Sequence, residues 1–380
     1  MMGVIAVSKK QPLTGVVDAP VLVLGLLTLI GLVVGIWRLM VGMGPTTNLT
    51  DAYPWGLWIG FDFALIAFSG AGFTMAGLVY IFRLEKFRPA LKPALLAGLL
   101  GYVAVLLLLV LDLGRWDRFY MFIISWNIHS PLFEVSWCVL LYTTVLFFEN
   151  SPPFFEQLRL QSLSRFVHKY IIPFVVAAVT LSTLHQSTLG TLYLNMPHRL
   201  GALWFTPILP LLFFTSSIMA GLSVAIIAYL IAGNIRKEAA KPEVISGLAT
   251  IVAWTTLVYV ALKLADLALA GELGALLAFD RPSGLMWLEL GAGAILPLVL
   301  LFTPALRQNR SVIWAGTLLI LLGVLANRFN ATLFAQAAPE WTTYAPHLAE
   351  WLSTIGVLAG AGLAWYLAVR YFIYNDKKQA

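Results

Sequence analysis

Ten ionisable side chains stand in otherwise apolar surroundings: Arg38, Asp62, Asp112, Glu134, His185, Lys263, Asp266, Glu289, Arg328 and Glu350. A charge at the centre of a bilayer costs roughly 2.5–3.5 kcal/mol on insertion scales, so such residues are rare unless they pair or act. Carboxylates, an imidazole, cations and aromatic walls together suit an amphipathic ring whose two carbonyls gain and lose protons with electrons. The imidazole and carboxylates can exchange the protons. The cations can hold developing negative charge, and Trp and Phe can stack on the ring. A quinone is such a ring, and it enters sideways from lipid without an aqueous channel.

Other chemistries find less support. No HExxH, G-x-S-x-G or P-loop is present, and no spacing suggests a metal site. Cys138 is the one cysteine, which excludes a disulfide framework, a thiolate zinc site and a cysteine-ligated iron–sulfur cluster within the chain. A b-type haem in a membrane bundle typically takes paired histidines. Only His185 falls well inside a span, whereas His129, His168, His198 and His347 fall at span ends. No haem is expected.

The elements that must position these residues are membrane helices. The chain has 380 residues, is 60% hydrophobic and only 11% charged, and has a mean hydropathy of +0.87. Globular domains run near one-quarter charged, so the bilayer is the expected solvent. Apolar runs long enough to cross about 30 Å of hydrocarbon lie near 20–43, 54–81, 92–113, 131–149, 168–192, 206–232, 244–270, 284–304, 311–329 and 347–373. This predicts an all-α integral membrane protein, about ten transmembrane helices in packed bundles, forming one polytopic domain over 1–380.

Lysine and arginine give the orientation. Of 24 such residues, 17 fall in one set of alternate loops and the two tails, among them Lys9, Lys10, Arg83, Arg165, Lys237, Arg310 and Lys378. The opposite loops hold only Arg115, Arg118, Arg199 and Arg281. Both termini are therefore expected in the cytoplasm, with an uncleaved first span and the loops near 114–130 and 193–205 outside. The net charge of +6 then reflects a membrane bias and no nucleic acid partner.

With that orientation, the ten ionisable groups all lie in the outer half of their helices. Asp112, Glu289 and Glu350 can simply reach the headgroup region. Lys263 and Asp266, at i,i+3, can form an ion pair, and Arg328 can serve a buried carboxylate. Asp62 shares a helix face with Trp55 and Trp58, and His185 lies on a polar stripe with Ser182 and Thr188. These two call for a functional pocket. The inner half offers Thr74, Tyr142, Ser216, Ser217 and end-of-helix charges such as Glu149, so proton exchange is expected mainly with the outer side. Residues 115–130 read as an aromatic headgroup belt or a docking surface, and 151–167 as a short interfacial helix. Ser69-Gly70-Ala71-Gly72 reads as a close-packing stretch.

Several segments resemble a known family. Thr50-Asp51-Ala52-Tyr53-Pro54-Trp55-Gly56-Leu57-Trp58-Ile59-Gly60-Phe61-Asp62, Asp112-Leu113-Gly114-Arg115 and Trp126 to Glu134 resemble the NrfD/PsrC (polysulphide reductase membrane subunit) family, particularly its HybB-like branch. So do Leu184-His185-Gln186-Ser187-Thr188-Leu189-Gly190 and Asn327-Arg328-Phe329-Asn330. The resemblance implies a haem-free membrane subunit that binds menaquinone or ubiquinone near the outer face of the bacterial or archaeal cytoplasmic membrane. It implies electron exchange with an iron–sulfur ferredoxin-like subunit, attached to a periplasmic catalytic subunit of nickel–iron hydrogenase or multihaem cytochrome type. Carried over by motif, Asp62, Asp112, Glu134, His185 and Arg328 are candidate quinone and proton residues. Trp55, Trp58, Lys263 and Asp266 join them by position. An ion or solute transporter using the same buried charges is the alternative, and a passive anchor would not need ten spans.

Overall fold

The structure is a computed structural model that describes residues 18–196, 198–336 and 343–372. Ten helices in it are long and apolar enough to cross a membrane: Ala19–Val41, Leu57–Ile81, Glu85–Asp112, Pro131–Asn150, Ile171–Leu194, Leu209–Arg236, Pro242–Leu269, Arg281–Phe302, Arg310–Phe334 and Leu348–Tyr371, here spans 1 to 10. Each overlaps a predicted run; span 3 begins seven residues earlier than predicted and span 9 ends five residues later. The tail lysines Lys9, Lys10, Lys377 and Lys378 lie outside the described residues, and so does the expected position of the termini. Arg370 bonds Asp18, which brings the start of span 1 and the end of span 10 to one face. That face also carries Arg83–Lys92, Arg159–Lys169, Arg236–Lys241 and Arg307–Arg310, and is called the basic face below.

Spans 2 to 5 pack as one four-helix group and spans 6 to 9 as another; spans 1 and 10 pair and lie against spans 2 and 3. Spans 2 and 6 hold the centre, and span 1 presents most of its leucines outward. Without a hydrophobic drive between helices in lipid, close van der Waals approach must supply the adhesion. Glycines permit it. Gly31 and Gly356 meet backbone to backbone between spans 1 and 10, where a Cβ on Gly31 would fall 3.0 Å from Leu352 O.

Span 2 is interrupted. Its helical ladder breaks at Ser69–Gly70 and resumes at Ala71. The close-packing reading of this stretch holds, since a Cβ on Gly70 would lie 2.8 Å from the Ser217 carbonyl of span 6. The break frees carbonyls in mid-membrane, which hydrocarbon cannot satisfy. The chain answers locally: Gly70 N–H donates to Ala67 O, and Gln186 Nε2 takes up the Ile66 carbonyl this leaves, at 2.7 Å. Spans 8 and 9 each contain a π-helical stretch, Trp287–Ile295 and Asn330–Phe334, which turns Glu289 and Asn330 toward each other.

Gly356→Val is expected to separate spans 1 and 10 and cost at least about 1–3 kcal/mol by overpacking. Gly25→Val, where nothing lies within 4 Å, should change little. Thermal unfolding of the two variants in one detergent checks this; equal midpoints would exclude the close approach as a stabilising contact.

Candidate functional site

The predicted site residues separate into three places. The first lies within spans 2 to 5. His185 on span 5 is fully buried, and neither ring nitrogen has a hydrogen-bond partner. Its ring lies 5.9 Å from that of Tyr102 on span 3, which meets Tyr142 of span 4 edge-on at 4.8 Å. Ser182, one turn from His185, sits beside both phenols. Asp62, on span 2, is 4% exposed and has an unpartnered Oδ1. Ser69 Oγ, at the helix break, and Gln186 Oε1 are unpartnered too.

Eight buried polar atoms from Asp62, Ser69, Tyr102, Tyr142, Ser182, His185 and Gln186 thus have no partner in the chain. Leaving a buried donor or acceptor unpaired costs about 1–3 kcal/mol each. Together they would rival the ~5–15 kcal/mol stability of a typical protein. Such a cluster is built to meet water or a polar ligand. Glu134 stands at its edge: the side chain is exposed in the first turn of span 4 and accepts from Thr188 Oγ1 at 2.7 Å, one turn beyond His185.

The second place lies within spans 6 to 9 and has the opposite character. Glu289 is 2% exposed and accepts from Trp204 Nε1 at 2.9 Å, Asn327 Nδ2 at 2.7 Å and Asn330 Nδ2 at 3.0 Å. Arg328 donates to Asn327 Oδ1, to Ser216 Oγ at 2.8 Å and to Phe213 O at 3.2 Å, with its guanidinium 3.6 Å from the Phe213 ring centroid. Asn327 therefore bridges cation and carboxylate. Lys263 donates to Leu203 O at 2.8 Å and approaches Asp266 at 3.8 Å, as the i,i+3 spacing predicted. Asp266 accepts from Thr206. This network meets most of its own needs. A narrow cavity lined by Trp204, Tyr259, Lys263 and Asn327 adjoins it.

The third place joins span 1 to span 10. Arg38 is fully buried, donates to Leu113 O at 2.9 Å and lies 5.7 Å over the Trp58 ring; Asp112 is its nearest carboxylate influence. Trp58 Nε1 donates to Ser353 Oγ at 3.0 Å. The indole N–H is thus turned toward span 10. Trp55 instead packs edge-on against Tyr193 at 5.9 Å and beneath Arg199 at 4.7 Å. Trp55, Phe63, Tyr193 and Phe213 form a run of rings that ends at Arg328. Glu350 closes the capping box of span 10 and accepts from Tyr344.

Tyr102, Gln186, Asn327 and Asn330 were not among the predicted catalytic residues. Tyr102 had a signal: it is the one hydroxyl-bearing residue in the apolar run 94–111. Of the histidines, His347 caps span 10, His168 lies near Glu156 at the basic face, and His185 alone is inside a bundle.

Glu289→Ala would strand three donors and a buried guanidinium, and is expected to cost about 3–5 kcal/mol. Ser182→Ala removes a hydroxyl with no partner and should stay within about 0.5 kcal/mol. Melting midpoints in detergent check the contrast; a harmless Glu289→Ala would disprove the structural role of that network.

A family model described as polysulphide reductase, NrfD, matches residues 45–340. The chain is 31% identical to the menaquinone reductase integral membrane subunit of Nitratidesulfovibrio vulgaris, over 87% of this chain and 85% of the relative. It is 29% identical to the probable Ni/Fe-hydrogenase 2 b-type cytochrome subunit of Escherichia coli, over 95% and 93%. It is 23% identical to the Hdr-like menaquinol oxidoreductase integral membrane subunit of Archaeoglobus fulgidus, over 86% of each. Ten apolar helices and these similarities make it a multi-pass integral protein of the inner membrane. By the extent of that match, the chain belongs to the NrfD family of integral membrane subunits.

Proposed function

We propose that this chain is the quinone-reactive membrane subunit of a respiratory oxidoreductase complex, with the reacting ring held at the His185–Asp62 cluster. The observation that carries the reading is the imidazole: fully buried, with both nitrogens unpartnered, 5.9 Å from the ring of Tyr102 in a bundle that also buries the unpartnered Asp62 carboxyl. A stable apolar core does not need such a residue, and would spend stability to keep it. A carbonyl oxygen placed there meets a group able to give or take a proton, which is what quinone reduction and quinol oxidation require. The ring supplies the redox chemistry. His185 and Asp62 exchange protons with it, the phenols of Tyr102 and Tyr142 orient it, and Trp55 and Phe63 bound its aromatic side. Glu134, open to the exterior beside Thr188, marks the lateral way in from lipid. Arg328, Lys263 and Asp266 stabilise the neighbouring bundle.

The names of the relatives support quinone and hydrogenase partners. One also mentions a b-type cytochrome. A single interior imidazole does not fit bis-histidine haem ligation, so we assign no haem to this chain. The electrons then come from, or go to, a partner: an iron–sulfur ferredoxin-like subunit carrying a periplasmic catalytic subunit. Exposed Trp116, Phe119, Trp126 and Ile128 mark the face on which it would sit, opposite the basic face.

The break in span 2 favours a second reading, because transporters build ion sites at interrupted helices. Substrate-driven flux through the purified chain in liposomes, with no redox partner, would support that one.

His185→Ala and Asp62→Asn are expected to lower quinone-coupled turnover of the complex by at least about 10²-fold. Reaction of the partner with an artificial dye should be unchanged. Unaltered quinone turnover in both variants would remove the site assignment. Equal loss of dye activity would show the residues to be structural.

A further inference from the structure

We propose that a cavity between spans 3, 6 and 7 at the basic face is a phosphate site, and that it takes the headgroup of an anionic phospholipid from the adjoining leaflet. The inference stands apart from the quinone reading.

The cavity has a volume of about 210 Å³. Pro89 near the start of span 3, Tyr229, Gly233 and Arg236 of span 6, and the loop 238–241 that leads into span 7 line it. The backbone builds its shape. Span 6 ends with Lys237 in the left-handed conformation, at a φ of 57°. The chain then folds back, with Glu238 N–H donating to Gly233 O at 2.9 Å and Lys237 N–H to Asn234 O at 3.2 Å. Such a reversal satisfies the last carbonyls of a helix. Glycine is needed at 233, where a Cβ would fall 2.8 Å from Glu238 O. At the far end of the loop, Lys241 N–H donates to Tyr229 Oη at 3.2 Å, one turn before Gly233. The loop is thus fastened to span 6 at both ends, and Ala239 and Ala240 between them are too small to fill the space. Ala232, also at the cavity wall, packs with Leu96 of span 3 and Val369 of span 10, so the floor is an apolar joint between spans.

The groups around this space suit an anion. The Tyr229 hydroxyl is 9% exposed, accepts from Lys241 N–H, and has no acceptor for its own hydrogen among the described residues. Lys241 Nζ has none there either. Arg236 is paired with Glu238 at 2.8 Å, but the acid is 60% exposed against 20% for the guanidinium. A pair with one partner in solvent contributes little, so Glu238 can turn away when a stronger anion arrives. A guanidinium matches two phosphate oxygens at once, and an ammonium adds a point charge. The two segments that meet at the cavity, 85–92 and 236–243, hold six lysines and arginines against three glutamates, which leaves the surroundings positive.

Size and place favour a lipid as the source of the phosphate. Pockets that enclose a whole small molecule run to ~300–1,000 Å³, so this one suits the charged end of a molecule whose remainder lies outside. It opens where three membrane helices begin or end, at the level of the headgroups, and basic pockets between helices at that level hold anionic headgroups. A lipid seated there would touch span 3 of one four-helix group and spans 6 and 7 of the other, and so tie the two groups together.

The full chain, purified in detergent and stripped of lipid, is titrated with phosphatidylglycerol, phosphatidylcholine or inorganic phosphate. Native mass spectrometry counts what is bound, and the melting midpoint is followed in parallel. Phosphatidylglycerol should bind tightly as one copy and raise the midpoint; the other two, at equal concentration, should do neither. Arg236→Gln with Lys241→Gln should weaken that binding at least about tenfold. Glu238→Gln, which removes a competing acid, should tighten it by about two- to fivefold. Arg165→Gln, on the same face but outside the cavity, should leave it unchanged. Ala239→Trp fills the space without altering a charge and should also weaken binding at least about tenfold, which keeps the test decisive if the double variant folds poorly. Undiminished binding in Ala239→Trp or in a folded double variant, or an equal loss in Arg165→Gln, overturns the site. A midpoint raised as far by inorganic phosphate as by phosphatidylglycerol overturns the lipid as its occupant.

Discussion

A polar atom inside hydrocarbon has no water to fall back on, so whatever the chain buries it must satisfy or leave for a guest. That constraint divides this protein in two. Around Glu289 nearly every donor finds an acceptor: three side chains bond one carboxylate, and Asn327 links it to Arg328. Around His185 the same kinds of group are brought together and left open. Both clusters contain buried ionisable residues. What differs is completeness: one network pairs most of its own groups and the other leaves them unpaired.

The open cluster is possible because the surrounding backbone is held so closely. Span 2 breaks at Ser69–Gly70 beside the open hydroxyls, and Gln186 bonds the carbonyl of Ile66 that the break frees. Glycine contacts let span 6 approach the interrupted turn. Gln186 adjoins His185 in sequence, so one helix turn both seals the break and carries the imidazole. Removal of either residue would disturb the other's surroundings, which is why function must be read with a fold control.

The two four-helix groups also explain why the ionisable residues need not act together. Arg328, Lys263 and Asp266 hold spans 6 to 9 in register. Arg38, Trp58 and Ser353 fasten the outer pair, spans 1 and 10, to span 2. The aromatic run from Trp55 to Phe213 gives the two groups a shared, water-poor boundary. This leaves a closely packed frame around the open cluster in spans 2 to 5.

Hydropathy by itself determined the solvent and the number and approximate places of the ten spans. These follow from a one-dimensional quantity, the length of apolar run. His185 and Asp62 were legible as exceptional because an ionisable residue in an apolar run carries its own cost, and the structure finds both buried with unpartnered atoms. Which side chains meet was not legible. These spans are apolar around most of their circumference, so the pattern fixes no rotation, and Trp58 could not be assigned to span 10 or Glu149 recognised as unpartnered. The tertiary structure decided that, through helix rotation, the break at Ser69–Gly70 and the glycine contacts, because satisfaction of a polar atom depends on its neighbours in space.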